Sequence, residues 1–208
     1  PEFLKKRVNV LLLGLDRSKE REKCGSFRTD TMVLVSVNLD DQNVHMISIP
    51  RDSFVRIHNK KARAKINSAF GVGGGAEKNG YEYAMKTVSK LFGGVAVDYY
   101  VGFDMQLVKD VVDVIGGVDY DVDVEIRMNG RQLHPGPPRL DGQAVIDYCR
   151  QRNGSSDIPR WDRQQRILLD IFDERKTRGP SLNVPNIYTA VMNISVTDLN
   201  QANTRHLT

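Results

Sequence analysis

The chain alternates between short β-branched runs and longer segments whose apolar residues recur at helical spacing. Residues 8–15 form a compact apolar run around Gly14, the signature of a strand buried on both faces. Residues 31–38 and 44–49 are β-branched and flank Asp40-Asp41-Gln42-Asn43, which predicts two antiparallel strands joined by a turn. Pro50 ends the second, because proline has no N–H for the ladder. Residues 71–75 (GVGGG) read as a flexible loop. Ala84, Met85, Val88, Leu91 and Phe92 predict a helix over 81–92, closed by Gly93-Gly94. A strand over 95–103 follows. Asp104 then caps a helix carrying Leu107, Val108, Val111, Val112 and Ile115, stopped by Gly116-Gly117. Residues 118–126 alternate apolar and acidic side chains, as a strand with one wet face does. The Pro/Gly-rich stretch 134–138 is a loop. Residues 141–148 predict a short helix, 149–152 an exposed connection or strand end, and 160–176 a long helix. Strands alternating with helices predict a layered α/β domain with a mixed sheet. No repeat or linker divides the chain, so one domain is expected.

Composition narrows this little: 40% hydrophobic and 27% charged residues describe an ordinary folded protein. The longest aliphatic run, residues 10–13, is far short of the roughly 20 residues of a membrane span. The chain begins at Pro1 without a signal peptide and reads as a piece of something longer. Cys24 and Cys149 have no metal-binding spacing; they are either two thiols or one disulfide.

Charge changes the picture more. The net charge of +4 is too small to imply nucleic acid, but it hides +5 in residues 51–65 and −5 in residues 66–127. Arginines recur beside the strand-like segments. Asp16 lies just past the first strand and Asp30 just before the second, within Arg28-Thr29-Asp30-Thr31. Carboxylates at neighbouring strand ends are hard oxygen donors suited to Mg²⁺ shared with a phosphate. Arg51 follows a buried strand, and Lys65-Ile66-Asn67 lies in the same basic segment. In Tyr148-Cys149-Arg150-Gln151-Arg152, an extended backbone would point both arginines to one side. Clustered, Arg28, Arg51, Arg150 and Arg152 opposite two aspartates would bind a pyrophosphate and its metal, since each guanidinium grips phosphate oxygens in pairs. The plainer alternative is turn-capping aspartates and surface ion pairs. No GxxxxGK[ST], GxGxxG or GxSxG sequence occurs, and His45, His58, His134 and His206 are scattered.

Nine segments in order, NVLLLGLD (9–16), RTDTM (28–32), ISIPRD (47–52), KIN (65–67), DYYV (98–101), GGVD (116–119), LDG (140–142), YCRQR (148–152) and DIPRWDRQQ (157–165), resemble the LytR-CpsA-Psr family. The resemblance runs from about residue 8 to 176, with a weaker extension over 177–208. Thr29, Cys149 and Pro159 stand where the family usually has Ser, Val and Gly.

The resemblance implies a three-layer α-β-α domain with a central mixed sheet and a hydrophobic pocket for a polyprenyl chain. It implies an extracytoplasmic enzyme of Gram-positive-type bacteria, tethered to the cell membrane by an N-terminal transmembrane anchor upstream of Pro1. Such enzymes move teichoic acid, capsular or other wall polysaccharide from an undecaprenyl- or octaprenyl-type diphosphate carrier to peptidoglycan. Carried over, Asp16 and Asp30 hold Mg²⁺ (or Mn²⁺), and Arg28, Arg51, Arg150 and Arg152 grip the diphosphate. Lys65, Asp157, Arg160, Arg163 and Gln164 complete the polar wall, with Asp52 or Asp157 as base. The rivals are a diphosphate hydrolase and a non-catalytic polyprenyl-phosphate-binding regulator.

Overall fold

The computed structural model describes residues 6–15, 29–41, 43–123, 125–128, 131–136, 139–150, 163, 166–167, 170–171 and 196–198. The chain divides into two compact units, one of residues 1–104 and 195–208 and one of residues 105–194.

The first unit is built on a five-stranded mixed sheet. Strand β1 (Arg7–Leu15) pairs antiparallel with β2 (Thr29–Asn38), which pairs antiparallel with β3 (Val44–Ser48). The expected hairpin is therefore present. A second short ribbon, β4 (Phe54–Arg56) with β5 (Arg63–Lys65), precedes a 3-10 turn at Ile66–Ser68 and helices α1 (Ala69–Val72) and α2 (Gly80–Leu91). Strand β6 (Tyr99–Phe103) lies parallel to β1. Glycine is needed in β1 because a Cβ at Gly14 would come 2.9 Å from Thr31 Cβ, where the β1–β2 register shifts.

One face of β1 and β2 buries Leu11, Leu13, Leu15, Met32 and Leu34. Ile49, Ile66, Phe70, Tyr81, Ala84 and Val88 cover them, so the amphipathic α2 supplies one wall of this core. Phe70 meets Tyr81 edge-on at 4.9 Å, and Tyr81 stacks on Tyr100 at 4.1 Å.

The second unit contains α3 (Met105–Val114), β7 (Val118–Asp119), β8 (Ile126–Met128), β9 (Arg131–Leu133), β10 (Arg139–Leu140) and α4 (Gly142–Arg150). Strand β7 pairs with β10, and β8 with β9. The side chain of Asp141 accepts from the Ala144 N–H at 2.7 Å and starts α4. Gly142 lies so close to α3 that a Cβ would overlap the Lys109 carbonyl. The last strand, β11 (Val196–Thr197), returns to the first unit and pairs antiparallel with β6.

Several local expectations change. Strand β6 starts at Tyr99, not residue 95, because Asn9 takes the Ala96 carbonyl with its side chain (2.7 Å) and ladder pairing begins at Val10–Tyr99. Gly71 is helical rather than part of a loop. The alternation over 118–126 is split between β7 and β8. Helix α4 continues through buried Cys149 to Arg150, so 149–150 is helical rather than extended. Arg163, Arg166, Ile167, Asp170 and Ile171 are helical, as the periodicity over 160–176 predicts. No helix among the described residues is long and apolar enough to cross a membrane.

Candidate functional site

The β1–β2 ladder sets Leu15 opposite Thr29, so the strand ends that precede Asp16 and Asp30 are neighbours. Asp30 is the extra residue of a bulge in β2, since Gly14 pairs with Thr31 and Leu15 with Thr29, and it stands at the end of the strand whose buried face carries Met32 and Leu34. The Ile49 N–H donates to the Met32 carbonyl at 2.9 Å, extending the β2–β3 ladder by one step. Pro50 then turns the chain, and Arg51 emerges beside Asp30.

Arg51 Nη1 donates to Asp30 Oδ1 at 2.7 Å. Asp30 is 14% exposed and Arg51 31%, so the pair sits at the rim of the core rather than in open solvent. Arg51 Nε lies 3.7 Å from Asp52 Oδ2, and Lys65 Nζ lies 2.7 Å from Asp52 Oδ1. Backbone bonds hold this arrangement: Ile66 N–H donates to Ser53 O, and Asn67 N–H to Arg51 O. The four side chains form one alternating chain of charge, Asp30, Arg51, Asp52, Lys65. The Lys65 ammonium, aided by Arg51, holds the Asp52 carboxyl below its usual range. A carboxylate so held is a weak proton acceptor at neutral pH.

In the second unit, α4 carries Tyr148 inward, where its hydroxyl donates to Asp123 Oδ1 at 2.7 Å and lies 3.4 Å from the Tyr120 hydroxyl. Burial, then the Tyr120 and Asp123 contacts, push the Tyr148 phenol well above its ordinary value. Arg163 is 5% exposed at its side chain, with Nε 3.7 Å from Asp123 Oδ1 and its guanidinium over the Tyr148 ring at 5.4 Å. Arg163 is thus buried beside Asp123 and the Tyr148 ring. Sequence reasoning missed its partner Asp123; an acid in an alternating segment carries no sign of a partner forty residues away.

Of the predicted site, Asp30, Arg51, Asp52 and Lys65 come together in the first unit. Arg150 ends α4, two residues past the anchored Tyr148. Asp16, Arg28, Arg152, Asp157, Arg160 and Gln164 lie outside the described residues, as does Cys24, and with it the disulfide question.

Asp30 bears on whether a divalent metal fits. Among the described residues no three His, Cys, Asp or Glu side chains converge as an all-protein cage. Mg²⁺ shared between one or two carboxylates and substrate phosphates needs no cage, and a half-sheltered carboxylate at a strand end is a suitable donor.

The sequence profile of the LytR_cpsA_psr family matches residues 3–208. The chain belongs to this family. A relative from Bacillus mycoides (strain KBAB4), a polyisoprenyl-teichoic acid–peptidoglycan teichoic acid transferase TagU, is 29% identical over 196 residues, 93% of this chain and 61% of that protein. The chain therefore spans about three fifths of the curated relatives it matches. Among solved structures, that of B. subtilis TagV is similar at a TM-score of 0.77 and 25% identity, covering 98% of this chain and 79% of that one. TagT bound to LI-WTA is similar at 0.70 and 27%, covering 98% and 73%. The LytR-CpsA-Psr chain described here shares with these structures a mixed α/β fold with a mixed central sheet.

Proposed function

We propose that this chain is a phosphotransferase that moves a wall glycopolymer from a polyprenyl-diphosphate carrier to peptidoglycan, and that it works outside the cell membrane to which it is tethered. The observation that carries the proposal is the Asp30–Arg51 pair, a carboxylate and a guanidinium fixed together where an apolar sheet face ends. The activity for which the TagU relative is named and the ligand on TagT support the same substrate class.

In this reading Arg51 and Lys65, with Arg28, Arg150, Arg152 and Arg160, neutralise the diphosphate, and Gln164 helps to orient it. Phosphoryl transfer depends chiefly on such positioning and charge neutralisation. Asp30 fixes the direction of the Arg51 fork. Mg²⁺ held by Asp16 and Asp30 would supply further positive charge at the leaving phosphate. An acceptor hydroxyl of peptidoglycan attacks the sugar phosphate. A P–O bond forms to the acceptor, the bond to the bridging oxygen breaks, and polyprenyl monophosphate leaves. The hydroxyl proton passes to a carboxylate. Lys65 makes Asp52 a poor acceptor, so we assign the proton to Asp157. Arg163, buried beside Asp123 and Tyr148, is assigned to that cluster rather than to the ligand.

The three-layer arrangement and a pocket for the polyprenyl tail belong to the same proposal. Met32 and Leu34, on the buried face of β2, follow Asp30 along the strand and start an apolar wall near the charged pair.

Incubation with a lipid-diphosphate glycan and Mg²⁺, with and without peptidoglycan, tests the proposal. Product joined to peptidoglycan is expected. Sugar phosphate released to water would instead make the chain a hydrolase, and binding without turnover a non-catalytic module.

A further inference from the structure

The ribbon β4–β5 has two unlike faces. Residues directly opposite in an antiparallel pair share a face, and the register sets Phe54 opposite Lys65, Val55 opposite Ala64, and Arg56 opposite Arg63. Val55 packs against the core. The other face presents Phe54, Arg56, Arg63 and Lys65, all exposed. Phe54, at 64%, is the most exposed large hydrophobic side chain among the described residues. Lys60 and Lys61, in the turn, are exposed as well.

This ribbon is anchored from beneath. Ile57 is 1% exposed, the Lys60 N–H donates to the Ile57 carbonyl, and the His58 N–H donates to Thr87 Oγ1 of α2 at 3.0 Å. The outward face is therefore held in place.

Four of its cations have no acidic partner among the described residues. No acid occurs between Asp52 and Glu77. Arg56, Lys60, Lys61 and Arg63 form no ion pair with any described residue. Arg56 and Arg63 are like charges directly opposite on a ladder, an arrangement that destabilises a ribbon unless an anion lies over it.

We propose that this face docks on an anionic lipid surface, with the Phe54 ring entering the headgroup region and the four cations around it on lipid phosphates. A membrane fits better than a soluble anionic polymer, because a hydrated polyanion would satisfy the cations and leave the ring in water. An apolar ring among Lys and Arg is the pattern of an interfacial anchor. The ribbon is continuous with the candidate site, since Lys65 closes its last register pair and binds Asp52. Docking here brings Arg51 to the surface from which a lipid-linked substrate would come. The inference needs no turnover, so it stands or falls separately from the transfer reaction.

Flotation with phosphatidylcholine vesicles, with or without phosphatidylglycerol, tests it. The chain binds the phosphatidylglycerol vesicles and releases them near 1 M salt, where the Debye length is about 3 Å. The triple variant Lys60→Ala/Lys61→Ala/Arg63→Ala binds roughly a hundredfold more weakly, at about fivefold per cation. Phe54→Ser binds about tenfold more weakly. Lys78→Ala/Arg127→Ala, which removes exposed cations outside the ribbon, changes binding less than about fivefold. Circular dichroism checks the fold of each variant, and the salt titration needs none of them. Equal binding to both vesicle types, wild-type binding by the triple variant, or equal loss in the control overturns the proposal. Indifference to Phe54→Ser, together with displacement by soluble polyglycerol phosphate, overturns it in favour of a polymer site.

Discussion

Arg51 reaches back from the end of β3 to donate a 2.7 Å hydrogen bond to Asp30, near the start of β2. The bond joins two strand ends 21 residues apart in sequence and leaves Arg51 Nε 3.7 Å from Asp52. An arginine held this way has its direction fixed before any anion arrives, which removes an ordering cost at the moment of binding.

The first prediction concerns that pair. Arg51→Ala lowers turnover of a lipid-diphosphate glycan at least about a hundredfold, the usual loss when one preorganised donor is removed. Asp30→Asn lowers it as well, and added Mg²⁺ does not restore it. Both variants keep the wild-type circular dichroism spectrum. Full activity in either variant, measured as glycan joined to peptidoglycan, contradicts the site assignment.

Asp52 behaves differently. Its carboxyl is held low by Lys65, so it is ionised throughout the neutral range and takes no proton there. Asp52→Asn therefore lowers turnover by less than about tenfold, within the range of losing an exposed ion pair rather than a general base. The acidic limb of the pH–rate profile stays where it is. A larger loss, with that limb gone, would identify Asp52 as the base.

The buried cluster in the second unit governs stability. Tyr148→Phe removes the hydroxyl that donates to Asp123 and costs about 1–3 kcal/mol in urea unfolding. Arg163→Met leaves a sheltered carboxylate facing an apolar side chain and costs more, about 3–5 kcal/mol. If Arg163 instead faced a ligand, Arg163→Met would keep the urea midpoint and lose substrate binding.

Histidine 58 gives the fold a pH dependence. Burial, then Lys90 and Lys86, lower the pKa of His58 from its ordinary 6.5, with Glu82 opposing. Its ring lies edge-on to Tyr83 at 5.2 Å. The folded state thus binds the His58 proton less tightly than the unfolded chain does. The stability this residue contributes is complete above pH 6.5 and is lost as pH falls through the lowered value. The urea midpoint of wild type drops below pH 6.5, and His58→Gln flattens that part of the curve. An equal drop in the variant would place the effect elsewhere.

Local pattern was enough to find β1, the β2–β3 hairpin, α2 and α3, because each has a period set by its own neighbours in sequence. Asp30 and Arg51 were legible for a related reason: both flank strands, and strand ends in one sheet lie close. What the pattern could not carry were features decided at a distance. Arg163 reads as one more arginine until Asp123 and Tyr148 enclose it. Cys149 and Arg150 read as the start of an exposed connection. Burial of Val145, Tyr148 and Cys149 keeps them helical. Residues 95–98 have strand composition, yet the Asn9 side chain takes the Ala96 carbonyl and delays pairing to Tyr99.

A crystal structure of the chain with Mg²⁺ and a polyprenyl diphosphate tests the Asp30–Arg51 site most directly. Diphosphate oxygens are expected on the Arg51 guanidinium and the metal on the Asp30 carboxylate. A lipid diphosphate bound elsewhere, with the Asp30–Arg51 pair touching neither metal nor phosphate, would contradict that expectation.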